Sequence, residues 1–229
     1  MEIAVVAADA THTIGTVVVT GPDQAVLNET NQWVITYSGN APIGDVDAAL
    51  TATNSGSNSA FDASNVLVSK DAETNTIIMS SIFNQAATVG GTATVTATLT
   101  DPTASDNGQA NTSDSTTVVL KGVQGTVNNQ MSSAAGVTGD LPIVVNLTSS
   151  LTGTVGTVGA STISWTVSSI NGDDSKPVIA DSTAANTTIT FPAGTPAGTY
   201  RVNCEYRNAN CDPVIAPNSN VLNYVLTAS

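Results

Sequence analysis

Between Gly91 and Thr100 the sequence reads Gly-Thr-Ala-Thr-Val-Thr-Ala-Thr-Leu-Thr, with Ala93, Val95, Ala97 and Leu99 alternating without a break with threonines. A period of two puts the apolar residues on one face of an extended chain and the threonines on the other, whereas a helix would scatter both around its axis. The same alternation recurs from Gln32 to Tyr37, with Trp33, Ile35 and Tyr37 sharing a face. It recurs again from Thr116 to Lys121, where Thr116, Val118 and Leu120 oppose Thr117, Val119 and Lys121. Helical periodicity is absent from the first half, and the chain reads as all-β.

The Thr116 strand runs straight into Gly122-Val123-Gln124-Gly125, and Gly125-Thr126-Val127 opens a second run of the same texture. Glycines on either side of Val123 can turn a chain without steric cost. The stretch reads as a hinge between two domains, residues 1–121 and 122–229. Further strands are expected at Ile3 to Ala8, Thr16 to Thr20, Ala48 to Thr53, Asn65 to Ser69 and Thr76 to Ser80. The second half offers Leu141 to Leu147, Thr162 to Ser168, Pro177 to Ala180, Thr187 to Phe191, Tyr200 to Cys204 and Val221 to Thr227. Gly21-Pro22-Asp23, Ser38-Gly39-Asn40, Asn107-Gly108 and Asn171-Gly172 mark turns. Each half holds a Trp strand near its beginning, at Trp33 and Trp165, and a long strand opening on Gly-Thr near its end, the pattern of a divergent tandem repeat. Trp33 to Gly91 spans 58 residues and Trp165 to Gly198 only 33, so the first copy is expected to carry an insertion or extra strands.

The hydrophobic fraction is 41% but aromatics are only 4%, so the core must be built from Val, Ile, Leu and Ala, mostly strand formers. Charged residues are 10%, well below the usual quarter, which leaves Thr, Ser, Asn and Gln to cover the surface. Such a surface suits a crowded, repeating assembly. Net charge is −13, and the only basic residues are Lys70, Lys121, Lys176, Arg201 and Arg207. Five scattered cations cannot form the patch that phosphate binding needs, so nucleic acid is not an expected partner. Up to Lys121 the net charge is −10 and beyond it −3. An acidic partner surface would therefore meet the second half more readily. No basic leader precedes the short Ile3 to Ala8 run and no apolar run approaches about 20 residues, so synthesis in a cytoplasm and no membrane partner are expected.

Pro196-Ala197-Gly198-Thr199-Tyr200-Arg201-Val202 resembles the penultimate strand of bacterial and viral immunoglobulin-like domains, which often reads Ala-Gly-Thr-Tyr followed by alternating Val and Thr. Gly91 to Asp101 is similar, with Ala93 where the Tyr would stand, so the first copy lacks the tyrosine-corner hydroxyl. The resemblance implies two tandem Ig-like antiparallel β-sandwich domains, with Trp33, Trp165 and Tyr200 in their cores. Such domains host many functions.

Catalytic chemistry is not expected. His12 is the one histidine, and nothing marks a nucleophile elbow or an activated Cys beside it. The acid pairs Asp45 and Asp47, Asp101 and Asp106, and Asp173 and Asp174 could offer oxygens to calcium, but no twelve-residue calcium loop accompanies them, and they read as solvated turn carboxylates. No cofactor or metal site is expected, since zinc would need more ligands than His12, Cys204 and Cys211 supply. If Arg207-Asn208 forms a two-residue turn, Cys204 stands opposite Cys211 and could carry a disulfide, although cytoplasmic synthesis favours thiols. Arg201 and Arg207, beside the long strand of the less acidic half, are the candidate interface residues.

By exclusion and resemblance, the expectation is a non-enzymatic virion structural protein, a decoration or cement protein on the capsid of a tailed bacteriophage. Its partners would be the viral capsid or another virion protein, in a homo-oligomer or symmetric assembly. A bacterial cell-surface adhesin or S-layer module shares the Thr-rich texture, and a phage tail or head-fibre component is a further alternative. A carbohydrate-active enzyme or module is disfavoured by the scarcity of aromatic sugar platforms.

Overall fold

The structure, a computed structural model, describes residues 12–54, 61–84, 87, 89–101, 112–171, 173 and 175–229, with backbone alone at 54 and 63–68. The strand expected at Ile3 to Ala8, the Asn107-Gly108 turn, Asp106, Gly172 and Asp174 lie outside these residues. The chain divides into two compact units, Met1–Lys121 and Gly122–Ser229. Among the described residues there is no α-helix, only one 3-10 turn at Thr138–Asp140. Among the described residues no helix is long and apolar enough to cross a membrane.

The first unit is built from β1 (Ile14–Thr20), β2 (Gln24–Val26), β3 (Thr30–Gly39), β4 (Asp47–Asn54), β5 (Phe61–Asp71), β6 (Thr76–Phe83), β7 (Thr92–Thr100) and β8 (Thr112–Val123). One antiparallel sheet runs β1-β3-β6-β5. The other runs β8-β7-β4, with β2 laid parallel to β8. Alternation decides which residues enter the core. On β3 Trp33, Ile35 and Tyr37 are buried and Gln32, Val34 and Thr36 exposed, and on β7 Ala93, Val95, Ala97 and Leu99 are buried. The two inward faces close on each other, with Ile77 and Met79 of β6 and Val118 and Leu120 of β8 filling between them. Gly21 sits where an added Cβ would overlap the Trp33 ring, so the turn after β1 needs glycine there for lack of space.

The second unit contains β9 (Thr126–Met131), β10 (Ala135–Val137), β11 (Ile143–Thr152), β12 (Thr162–Ser169), β13 (Val178–Ile179), β14 (Asn186–Phe191), β15 (Gly198–Arg207), β16 (Cys211–Asp212) and β17 (Leu222–Thr227). Its sheets run β13-β14-β11-β9 and β10-β17-β15-β12, with β10 parallel to β17. Pro142 has no N–H to give a ladder, and β11 accordingly begins at Ile143 rather than at Leu141. The core gathers Trp165, Phe191, Tyr200, Val202, Tyr206 and Tyr224 around Val145, Leu147 and Ile189. Phe191 stacks on Tyr224 at 4.4 Å between centroids and meets Tyr200 edge-on at 5.2 Å.

Lettered A, A′, B, C, D, E, F, G in chain order, β1 to β8 form sheets A-B-E-D and A′-G-F-C. β9 to β15 with β17 form the same two sheets, leaving β16 aside. That is the strand order of the immunoglobulin sandwich, and the fold is two Ig-like antiparallel β-sandwich units. Trp33 and Trp165 are not counterparts, however. Trp33 lies on strand B and Trp165 on strand C, in opposite sheets, so the longer Trp33 to Gly91 spacing reflects one additional intervening strand position.

At the start of the second unit, Gly122 and Val123 pair in parallel with Cys211 and Asp212 of β16. Neither Gly122 nor Gly125 has positive φ among the described glycines. Gly125 is required because a Cβ there would run into the Thr152 carbonyl.

Candidate functional site

The sequence candidates do not converge. His12 lies with its Nδ1 3.2 Å from Oδ2 of Asp101, whose side chain is only 4% exposed. The next residue is pinned in turn: the Thr13 N–H and hydroxyl both donate to Asn40 Oδ1, and the Asn40 and Ala41 N–H groups donate to the Thr13 carbonyl. Tyr37 donates its hydroxyl to the Ala41 carbonyl at 2.8 Å. Burial, with the Asp101 charge as a smaller cause, pushes the Tyr37 phenol above its ordinary value. The whole group fastens the start of β1 to the ends of β3 and β7. Asp101 is thus paired with His12.

Asp45 and Asp47 are exposed on either side of a loop whose carbonyls are already taken. Lys70 Nζ donates to the Val46 carbonyl at 2.6 Å and reaches that of Gly44 at 3.5 Å. Asp173 accepts from the Ser175 hydroxyl and N–H, which hold its carboxyl below the ordinary range. It is a turn carboxylate. Among the described residues no group of three or more His, Cys, Asp or Glu could hold a metal.

The two-residue turn that would set Cys204 opposite Cys211 does not form. Arg207 bridges Ile215, and the Asn208 N–H donates to the Val214 carbonyl, so the chain returns across a longer loop. Cys204 faces Trp165 on β12, Cys211 faces Gly122, and both are buried with no disulfide between them. Burial pushes the Cys204 thiol above its ordinary value.

Tyr200 occupies the tyrosine-corner position. Its hydroxyl donates to the Pro196 carbonyl at 2.7 Å, four residues upstream. Tyr224, equally buried, has a hydroxyl with no partner. The two tyrosines should respond oppositely to loss of that oxygen: Tyr200→Phe is expected to cost about 1 kcal/mol, and Tyr224→Phe to be neutral or stabilising by up to about 1 kcal/mol. Thermal unfolding of the two variants side by side checks this, and equal losses would contradict it.

An open hollow lies on the outer face of β11 and β14, lined by Asn146, Thr148, Ala180, Asp181, Asn186 and Thr188. Its one charged group is engaged, because Asp181 accepts from the N–H and hydroxyl of Thr183. Arg201 and Arg207 are exposed on the outer face of β15. Two features went unread in the sequence. Glu205 continues the outward row of β15, and the period of two already visible at Tyr200, Val202 and Cys204 could have located it. A buried network around Asn129 has no sequence signal, since it joins side chains about 90 positions apart.

No family model matches the sequence, and no curated protein matches it. Among solved structures the chain is similar to a marsupial T cell receptor, with 11% identity over 93% of this chain and 72% of the receptor chain, at a TM-score of 0.46. The assignment of the fold rests on the strand order described above.

Proposed function

We propose that the chain is a non-enzymatic structural protein of a virus particle, a decoration protein of a tailed-bacteriophage capsid made in the host cytoplasm, and that its halves are divergent copies of one module. The observation that carries this reading is the difference between the two surfaces. Eight of the eleven exposed large apolar side chains among the described residues lie in the second unit, including Val144, Val178, Val221 and Val225. That unit also carries a net charge of only −3, against −10 for the first. Apolar side chains on a weakly charged surface favour burial against a partner. A strongly acidic surface favours solvent and keeps neighbouring particles apart at low salt. Contacts of this modest kind hold when symmetry repeats them over a shell.

The experiment is cosedimentation of purified chain with particles stripped of it. Exchanging Val144 and Val178 for Asp is expected to lower particle occupancy severalfold. Exchanging Val18 and Val34 of the first unit for Asp should leave it unchanged, and the reverse ranking would overturn the proposed orientation.

A further inference from the structure

We infer that the outer face of β12, β15 and β17 is a self-complementary surface on which a second copy of this chain docks across a two-fold axis. On β15 the residues Tyr200, Val202, Cys204 and Tyr206 are buried, leaving Arg201, Asn203, Glu205 and Arg207 as the outward row. At ~3.3 Å per residue, Arg201 and Glu205 stand roughly 13 Å apart on either side of Asn203, too far to pair within one chain. A two-fold axis lying in the interface, perpendicular to β15 and over Asn203, reverses the facing strand. Arg201 of each copy then meets Glu205 of the other, two ion pairs from one pair of residues.

The same axis matches an independent pair. Val225 is in register with Thr199, and Ile215 with Arg207. Thr199 and Arg207 are equally distant from Asn203 along β15, so Val225 of one copy comes opposite Ile215 of the other. Both are exposed, at 41% and 39%. The adjoining outward row of β12 is Ser164, Thr166 and Ser168, short side chains that let two sheets approach the ~10 Å spacing of packed sheets. Charge favours the same pairing. Arg201, Glu205 and Arg207 give this row a positive balance in a chain of net −13, so two copies approach here against the least repulsion.

Three strands ~4.8 Å apart, of eight, ten and six residues, offer roughly 400 Å² per copy, below the ~800 Å² per partner of a standard stable complex. The dimer is therefore weak in isolation and depends on concentration. It is measured on the purified chain, so its failure and the failure of particle binding are separate results.

Sedimentation equilibrium of the full chain at low ionic strength tests it, with circular dichroism to verify that each variant is folded. The wild type should dimerise reversibly, and less so as salt is raised. Arg201→Glu and Glu205→Arg should each weaken dimerisation about tenfold, since attractive pairs become repulsive ones. An equimolar mixture of the two variants should regain the wild-type association, because one then presents two acids and the other two arginines. A wild type that stays monomeric up to about 1 mM, single variants that dimerise like the wild type, or a mixture no tighter than either variant alone would each overturn the proposal.

Discussion

Replacing Trp33 with Ala is expected to lower the stability of the first unit by about 3 to 5 kcal/mol while leaving the second unfolding where it was, and Trp165→Ala to do the converse. Each indole is almost wholly buried and each is tethered by its one polar atom: Trp33 Nε1 donates to the Ser81 hydroxyl at 2.9 Å, and Trp165 Nε1 to the Ala184 carbonyl at 2.8 Å. Truncation therefore opens a cavity and also leaves an acceptor without its donor, a fully buried one at Trp33 and a part-buried one at Trp165. Trp33 should be the more damaging site, because Gly21 packs directly on its ring and the turn after β1 loses its seat. Hydrogen exchange with peptide-level resolution separates the two units. Equal loss of protection in both units from one substitution would show that they do not unfold independently.

The second large effect is expected at Asn129, which is 2% exposed. Its side chain accepts from the Ser149 hydroxyl at 2.7 Å and donates to Asn218 Oδ1 and the Asn220 carbonyl, each at 3.1 Å. Its backbone exchanges bonds with the Asn220 side chain, N–H to Oδ1 at 2.9 Å and carbonyl from Nδ2 at 2.7 Å. These bonds tie β9 to the segment leading into β17, where the two sheets of the unit meet. Asn129→Ala should cost about 2 to 3 kcal/mol, because several buried groups lose partners together. Asn129→Leu keeps the branching and the number of heavy atoms and loses the polarity. Urea denaturation should find it destabilised as well, and a wild-type midpoint for the leucine variant would mean that the network contributes nothing to stability.

The strands that were legible in the sequence are those whose alternation runs long enough to be periodic. β3, β7 and β15 bury the residues that a period of two assigns to one face. β2, β10 and β16 were not legible, being two or three residues long and held by parallel pairing to partners distant in sequence. The Trp33 and Trp165 equivalence failed for a related reason. A buried Trp satisfies strand B or strand C of a sandwich equally well, and only the pairing distinguishes them. The Cys204 and Cys211 hairpin failed because register was inferred from a turn length, and the loop between Arg207 and Ile215 is longer than two residues. The candidate surface was half legible: Arg201 and Arg207 stood out by rarity of charge, whereas Val225 and Ile215 join them only through strand register.

The account turns on which unit makes the contact, and binding of truncated chains to stripped particles measures that directly. Deletion of residues 1–121 should leave cosedimentation with the particle largely intact, and deletion of residues 126–229 should abolish it. If residues 1–121 alone bind the particle as well as the full chain does, the account is contradicted.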